Sequence, residues 1–272
     1  MRKLTITLCL SFAVLLGSVG VSMSADFRNC EQEYKKKNYN AAARLCLPFA
    51  EQGNATAQKN LGFMYHNGDG VSQDYKTAMK WFRLAAKQGH ATAQYNLGLM
   101  YRNGRGVPQD NKTAVKWWKL AAEQGVAVAQ YNLGTMYANG DSVSQDYKTA
   151  MKWYRLAAKH GYASAQNNLG QMYRRGDGVI QDYMTAMKWY RLAAEQGNAS
   201  AQNNLGAMYN NGNGVPQDYV YAHMWYNIAA SSGKSKNASN NRDIIEKKMS
   251  SSQIETAQNL ARKCVRKKYK GC

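Results

Sequence analysis

Five glycines, Gly62, Gly98, Gly134, Gly170 and Gly206, recur at an unbroken spacing of 36 residues. Five tryptophans, Trp81, Trp117, Trp153, Trp189 and Trp225, keep the same step. A fixed period of this length is the mark of a stacked repeat array, in which each unit is too small to bury its own apolar face. The expected fold is all-α: each unit reads as two short helices, and neighbouring hairpins must stack into a solenoid. Such arrays present extended surfaces for holding other molecules, so the pattern speaks to architecture more directly than to partner.

In the first half of the unit, Ala57, Leu61, Met64 and Tyr65 have the spacing of one buried helical face. Gly62 falls in the middle of that helix, where glycine costs about 1 kcal/mol against alanine. Its return in every unit predicts a close neighbour that leaves no room for a Cβ. The loop from Asn67 to Asp74 follows, with Gly68 and Gly70 suited to positive φ. Ser142 stands where the third unit should have the second glycine, which predicts a strained or differently shaped turn there. The pair Asp69-Gly70 lacks the regular oxygen ligands and closing glutamate of a calcium loop, so it reads as a turn. Asp74, Asp110, Asp146, Asp182 and Asp218 each precede the second helix as N-caps. That helix carries Ala78, Trp81, Phe82, Ala85 and Ala86 on its inner side, and Gly89 ends it.

These motifs resemble the Sel1-like repeat, a relative of the tetratricopeptide repeat, through AQxxLGxxY, GxGVxQD, AxxWxxxAA and a closing glycine. Five consecutive units over 54–233 carry the likeness. It implies a right-handed α/α solenoid. The segment 25–53 looks like a degenerate first helical pair. Residues 234–272 look like the helical C-terminal cap of many bacterial members, with Ser252-Gln253-Ile254-Glu255 read as a capping box.

The N-terminus has another character. Arg2 and Lys3 precede an apolar stretch from Leu4 to Val21, followed by the small residues Ser22, Ser24 and Ala25. This predicts a secretory signal peptide over 1–24, cut after Ser24 or Ala25. The competing reading, a membrane anchor, is weakened by Thr5, Thr7, Ser11, Gly17, Ser18 and Gly20. Removing the leader discards Cys9 and leaves four cysteines in an exported chain, a periplasmic or secreted one. Cys30 and Cys46 lie symmetrically about Asn38 and should face each other across a helical hairpin; Cys264 then pairs with Cys272.

Comparing units within the chain separates positions held by the fold from free ones. The position of Lys59 varies through Tyr95, Tyr131, Asn167 and Asn203, and that of Phe63 through Leu99, Thr135, Gln171 and Ala207. Related solenoids line their concave face with first helices. On that basis Lys59, Tyr95, Tyr131, Asn167 and Asn203, with Asn96, Asn132 and Asn168 beside them, form a candidate groove for peptide. Tyrosine offers large amphipathic contacts and asparagine adaptable hydrogen bonds. The resemblance thus implies a non-enzymatic adaptor for an envelope or secreted protein.

The net charge of +19 becomes +17 without Arg2 and Lys3, and favours anionic neighbours. Lys76, Lys80, Arg83 and Lys87 share one helical face; Lys112, Lys116 and Lys119, then Lys148, Lys152, Arg155 and Lys159, repeat the stripe. Met184 interrupts it in the fourth unit, and Val220, Met224 and Asn227 in the fifth. An anionic envelope glycan or lipid surface is therefore the second candidate partner, while export argues against nucleic acid. No cofactor or metal motif is present in the sequence, since His66, His90, His160 and His223 occupy different repeat positions. Ser231-Ser232-Gly233-Lys234 matches the SxxK of β-lactamase-like hydrolases, but the accompanying motifs are missing and the match spans a helix end.

Overall fold

The computed structural model describes residues 26–233 and 235–272; the leader expected over 1–24 lies outside them. The described residues are helical and carry no strand. They cluster into two compact units, one running to Gln124 and one from Gly125. The first unit contains α1 (26–35), α2 (Tyr39–Glu51), α3 (Ala55–Asn67), α4 (Tyr75–Lys87), α5 (Ala91–Asn103) and α6 (Asn111–Glu123). The second contains α7 (Ala127–Asn139), α8 (Tyr147–Lys159), α9 (Ala163–Arg175), α10 (Tyr183–Ala194), α11 (Ala199–Asn211) and α12 (Tyr219–Ser231). The cap helices α13 (Lys236–Glu246) and α14 (Ser251–Arg266) follow. Within each unit consecutive helices pack as hairpins, the arrangement of an α/α solenoid.

The QD pair explains, in four of the five loops, how one helix stops and the next begins. The Gln73 side chain donates to the carbonyl of His66 at 2.9 Å, satisfying the end of α3. Asp74 accepts from the backbone of Lys76 and Thr77 at the start of α4, while its own N–H returns to Tyr65 O at 2.9 Å. Gln145 and Asp146 repeat this between α7 and α8, as do Gln181 and Asp182 between α9 and α10. A threonine three residues on adds a bond the sequence did not suggest: the Thr77, Thr113, Thr149 and Thr185 hydroxyls each donate to the aspartate at 2.6 Å. These bonds hold all four carboxyl groups below the usual aspartate range. Ser142 takes φ +61°, matching Gly178 at +71° and Gly214 at +75°, so the third turn keeps the shape and accepts the strain.

The mid-helix glycines each receive an aromatic ring. A Cβ on Gly62 would lie 2.6 Å from Phe82, and one on Gly98 would lie 2.5 Å from Trp118. In the second unit Gly134, Gly170 and Gly206 meet Tyr154, Tyr190 and Tyr226 in the same way. The close neighbour is thus the residue after the periodic tryptophan. The tryptophans themselves are less uniform: Trp81, Trp153 and Trp225 are buried, whereas Trp117 and Trp189 are only half-buried.

Glutamines join one hairpin to the next. Gln58 donates to the carbonyl of Ala50 at 2.9 Å and accepts from Gln88 at 2.8 Å, so α2, α3 and the end of α4 are tied through one buried amide. Gln94 and Gln124 repeat the relay, as do Gln166 and Gln196 in the second unit. Both ends are stapled. Cys30 is bonded to Cys46 across α1 and α2, and Cys264 to Cys272, with Cα separations of 5.1 and 5.6 Å. The capping box of α14 is Ser250 with Gln253, two residues before the expected Ser252, because Ser250 alone has the extended backbone outside the first turn. Fully buried His223 on α12 meets Glu246 of α13 at 2.7 Å and anchors the cap.

Candidate functional site

The first helix of each hairpin buries its 57, 58, 61, 62 and 64 positions and leaves 63 half-open, and 59 as well except in α9, where Asn167 is buried. In the first unit Lys59 therefore lies beside aromatic rings, with its ammonium 5.5 Å from the Tyr34 ring centre and 2.6 Å from Asn60 Oδ1. Burial pushes its pKa below the ordinary lysine value. It does the same to nearby His90, helped by the Lys59 charge. Tyr95 is half-buried on α5 and its carbonyl accepts from the Trp118 indole at 3.1 Å, while Asn96 donates back to Thr92 O at 2.7 Å.

In the second unit Tyr131 sits between two other tyrosines, 5.8 Å from the Tyr154 ring and 5.1 Å from that of Tyr162. Tyr154 donates to Thr135 Oγ1 at 3.1 Å, and burial raises its pKa. A recess of about 180 Å³ opens here, lined by Thr135, Asn139, Tyr154, Asn168, Gln171 and Arg175. The variable positions of two consecutive first helices, Thr135 and Gln171, thus share one polar depression with Asn168. Tyr154, Asn139 and Arg175 complete it, and nothing in their residue types singles them out. Their helical register, one hairpin apart, was the available signal.

The remaining asparagines are engaged with one another. Asn167 is 6% exposed, donates to Asn168 at 3.3 Å and accepts from Asn204 at 3.0 Å. Asn203 accepts from Asn241 of α13 at 2.9 Å. These side chains join α9 to α11 and α11 to the cap. Asn132 is half-buried on α7 beside Tyr131. Ser231 of the SxxK match donates to Ile228 O at 2.8 Å, and its motif partner Lys234 lies outside the described residues. Among the described residues no group of three or more His, Cys, Asp or Glu side chains could hold a metal ion. No described helix is long and apolar enough to cross a membrane.

Comparison with solved structures finds a Sel1 repeat protein from Oxalobacter formigenes at 36% identity and a TM-score of 0.73, covering 77% of this chain and 86% of that one. A second is c5321, a protective antigen of uropathogenic Escherichia coli displaying an SLR fold. It is 28% identical with a TM-score of 0.45, over 85% of this chain and 65% of its own. No curated protein matches the chain in sequence. The Sel1 repeat model matches five times in succession, over residues 55–90, 91–126, 127–162, 163–198 and 199–234. With two thirds of its length in those matches and the hairpin geometry described above, the chain belongs to the Sel1 repeat family, whose members generally serve as protein-interaction scaffolds.

Proposed function

We propose that this chain is a non-enzymatic scaffold that holds a peptide segment of an envelope or secreted protein on the exposed side of its first helices. The observation that carries the reading is the polar recess beside Tyr131. Thr135 and Gln171 meet there at a position that differs from repeat to repeat, beside the recurrent Asn168, while the glutamines and glycines around them are occupied by the fold. Amide and hydroxyl groups around tyrosine rings suit main-chain recognition better than they suit chemistry. Disulfides at both ends support a location in an oxidising compartment, periplasmic or extracellular.

The test is a pull-down from envelope extract with the mature protein, washed in parallel at low and high salt, and repeated with Gln171→Ala and Tyr131→Ala. A discrete protein should survive high salt, rebind when purified, and be lost from both variants. Recovery of acidic glycan or lipid alone, stripped by salt, would overturn the proposal. The N-terminal sequence of the protein from a periplasmic fraction should begin at Ala25 or Asp26; retention of Met1 would overturn the export reading.

A further inference from the structure

The second helices carry a different feature. On α8, Lys148, Lys152, Arg155 and Lys159 share one face and border a trough of about 420 Å³ formed with the loop before α10. Its floor is apolar: Met151 and Leu156 come from the helix and Val179 from the loop. Ile180, next along that loop, is 88% exposed. The same position holds Ser72, Pro108, Ser144 and Pro216 in the other repeats, so this large apolar side chain is particular to the trough.

Two further facts show that the cations are available and arranged. None of the four forms an ion pair among the described residues, and neighbouring Asp146 is engaged in capping α8 through Thr149. Arg155 is held by the Tyr173 hydroxyl at 2.8 Å, a bond that recurs between Arg83 and Tyr101 and between Arg191 and Tyr209. In α10 the corresponding stripe ends in Glu195 and lacks its first cation at Met184, so α8 has the complete set within the second unit.

We propose that this trough binds an acidic, partly apolar segment of a protein partner in extended conformation. The four cations are four, three and four residues apart, hence about 6, 4.5 and 6 Å along the axis and about 16 Å in all. Alternate side chains of an extended peptide are separated by about 6.6 Å, so some six residues span the row with carboxylates at every second position. The intervening side chains then reach Met151, Leu156, Val179 and Ile180. A recess flanked by a row of charges selects such a strand; a lipid surface would ask for cations in a plane. The trough and the polar recess both touch α8 but share no lining residue, so the trough stands or falls independently of the first-helix site.

The experiment is fluorescence anisotropy of the whole mature protein with a labelled hexapeptide of alternating glutamate and leucine. Hexaglutamate and phosphatidylglycerol-containing vesicles run beside it. The alternating peptide should bind. Lys152→Glu with Arg155→Glu should weaken it about tenfold or more, and Ile180→Asp should weaken it as well. The same charge reversal in the tail, Lys267→Glu with Lys270→Glu, should leave it within about twofold. All altered side chains are exposed, and unchanged thermal melts establish that the fold is kept. Equal binding of hexaglutamate, equal loss in the tail variant, or binding of vesicles without peptide would each overturn the proposal, the last in favour of a membrane surface. Gln171→Ala leaves this affinity intact if the two sites are separate.

Discussion

Gly134→Ala is the sharpest test of why glycine returns every 36 residues. In the middle of α7, alanine in place of glycine should stabilise by about 1 kcal/mol through helix propensity alone. The structure opposes that gain. The new Cβ would sit 2.6 Å from Tyr154 Cδ1 and Cε1 and 3.0 Å from Cγ. The ring has nowhere to go: it is 3% exposed, its hydroxyl donates to Thr135, and Tyr131 lies against it. Overpacking of this kind costs about 1–3 kcal/mol, so the variant should be less stable than wild type by up to about 2 kcal/mol. In a Tyr154→Ala background, itself destabilised by about 3–5 kcal/mol, the clash is gone and only the propensity gain remains. Gly134→Ala should then stabilise by about 1 kcal/mol, and this change of sign is the coupling between the two sites. Repeat arrays do not always unfold in one step, so native-state hydrogen exchange of the α7 and α8 amides reads the local effect better than a global melt. If Gly134→Ala stabilises wild type, or has the same sign and size in both backgrounds, the close-approach explanation is wrong.

Three further outcomes follow from particular bonds. Replacing Cys30 and Cys46 together by alanine opens a loop of sequence separation 16 and should cost about 3 kcal/mol, read as a fall in the denaturation midpoint of the N-terminal helices. Ser142→Gly should raise stability by about 0.5–1 kcal/mol in a urea titration, because it relieves a left-handed residue at φ +61° at the expense of some unfolded-state entropy. Asp74, Asp110, Asp146 and Asp182 have folded pKa values below their ordinary 3.8, the Thr hydroxyl bond being the first cause. Their contribution is complete above that value and is lost as pH falls through the folded values. Asparagine caps a helix as well without the charge, so the fourfold Asp→Asn protein should lose less melting temperature than wild type from about pH 6 to about pH 2.5; an equal loss would show that the caps do not drive acid sensitivity.

The repeat register was legible because every unit solves the same packing problem with the same residues, and one chain therefore supplies its own comparison. Gly62 predicted a close neighbour, and Asp74 predicted a helix start; both follow from backbone chemistry that acts over a few residues. What the neighbour was did not follow. The tryptophan is the most conspicuous periodic aromatic, yet the ring on each glycine belongs to the next residue, which appears as Phe82, Trp118, Tyr154, Tyr190 and Tyr226 and so shows no identity to notice. Position on the helix, one residue or 100° further round, decides the contact; residue type only has to be aromatic. The same reasoning explains the asparagines. Asn167 and Asn204 are chemically suited to a ligand and also suited to each other, and only the distance between α9 and α11 shows that they are joined. The candidate surface contracts accordingly, from a row of eight residues to the places where a polar or charged side chain at a variable position opens onto a recess. Two such places in the second unit have contrasting chemistry. The recess beside Tyr131 is built mainly of neutral amides and hydroxyls with Arg175 and Asp177 among its lining, whereas the acidic segment proposed for α8 would be held by four cations and weaken as salt rises. A scaffold with both could hold one partner firmly and release another as conditions change, which makes the salt dependence of each site, measured separately, the property that separates their roles.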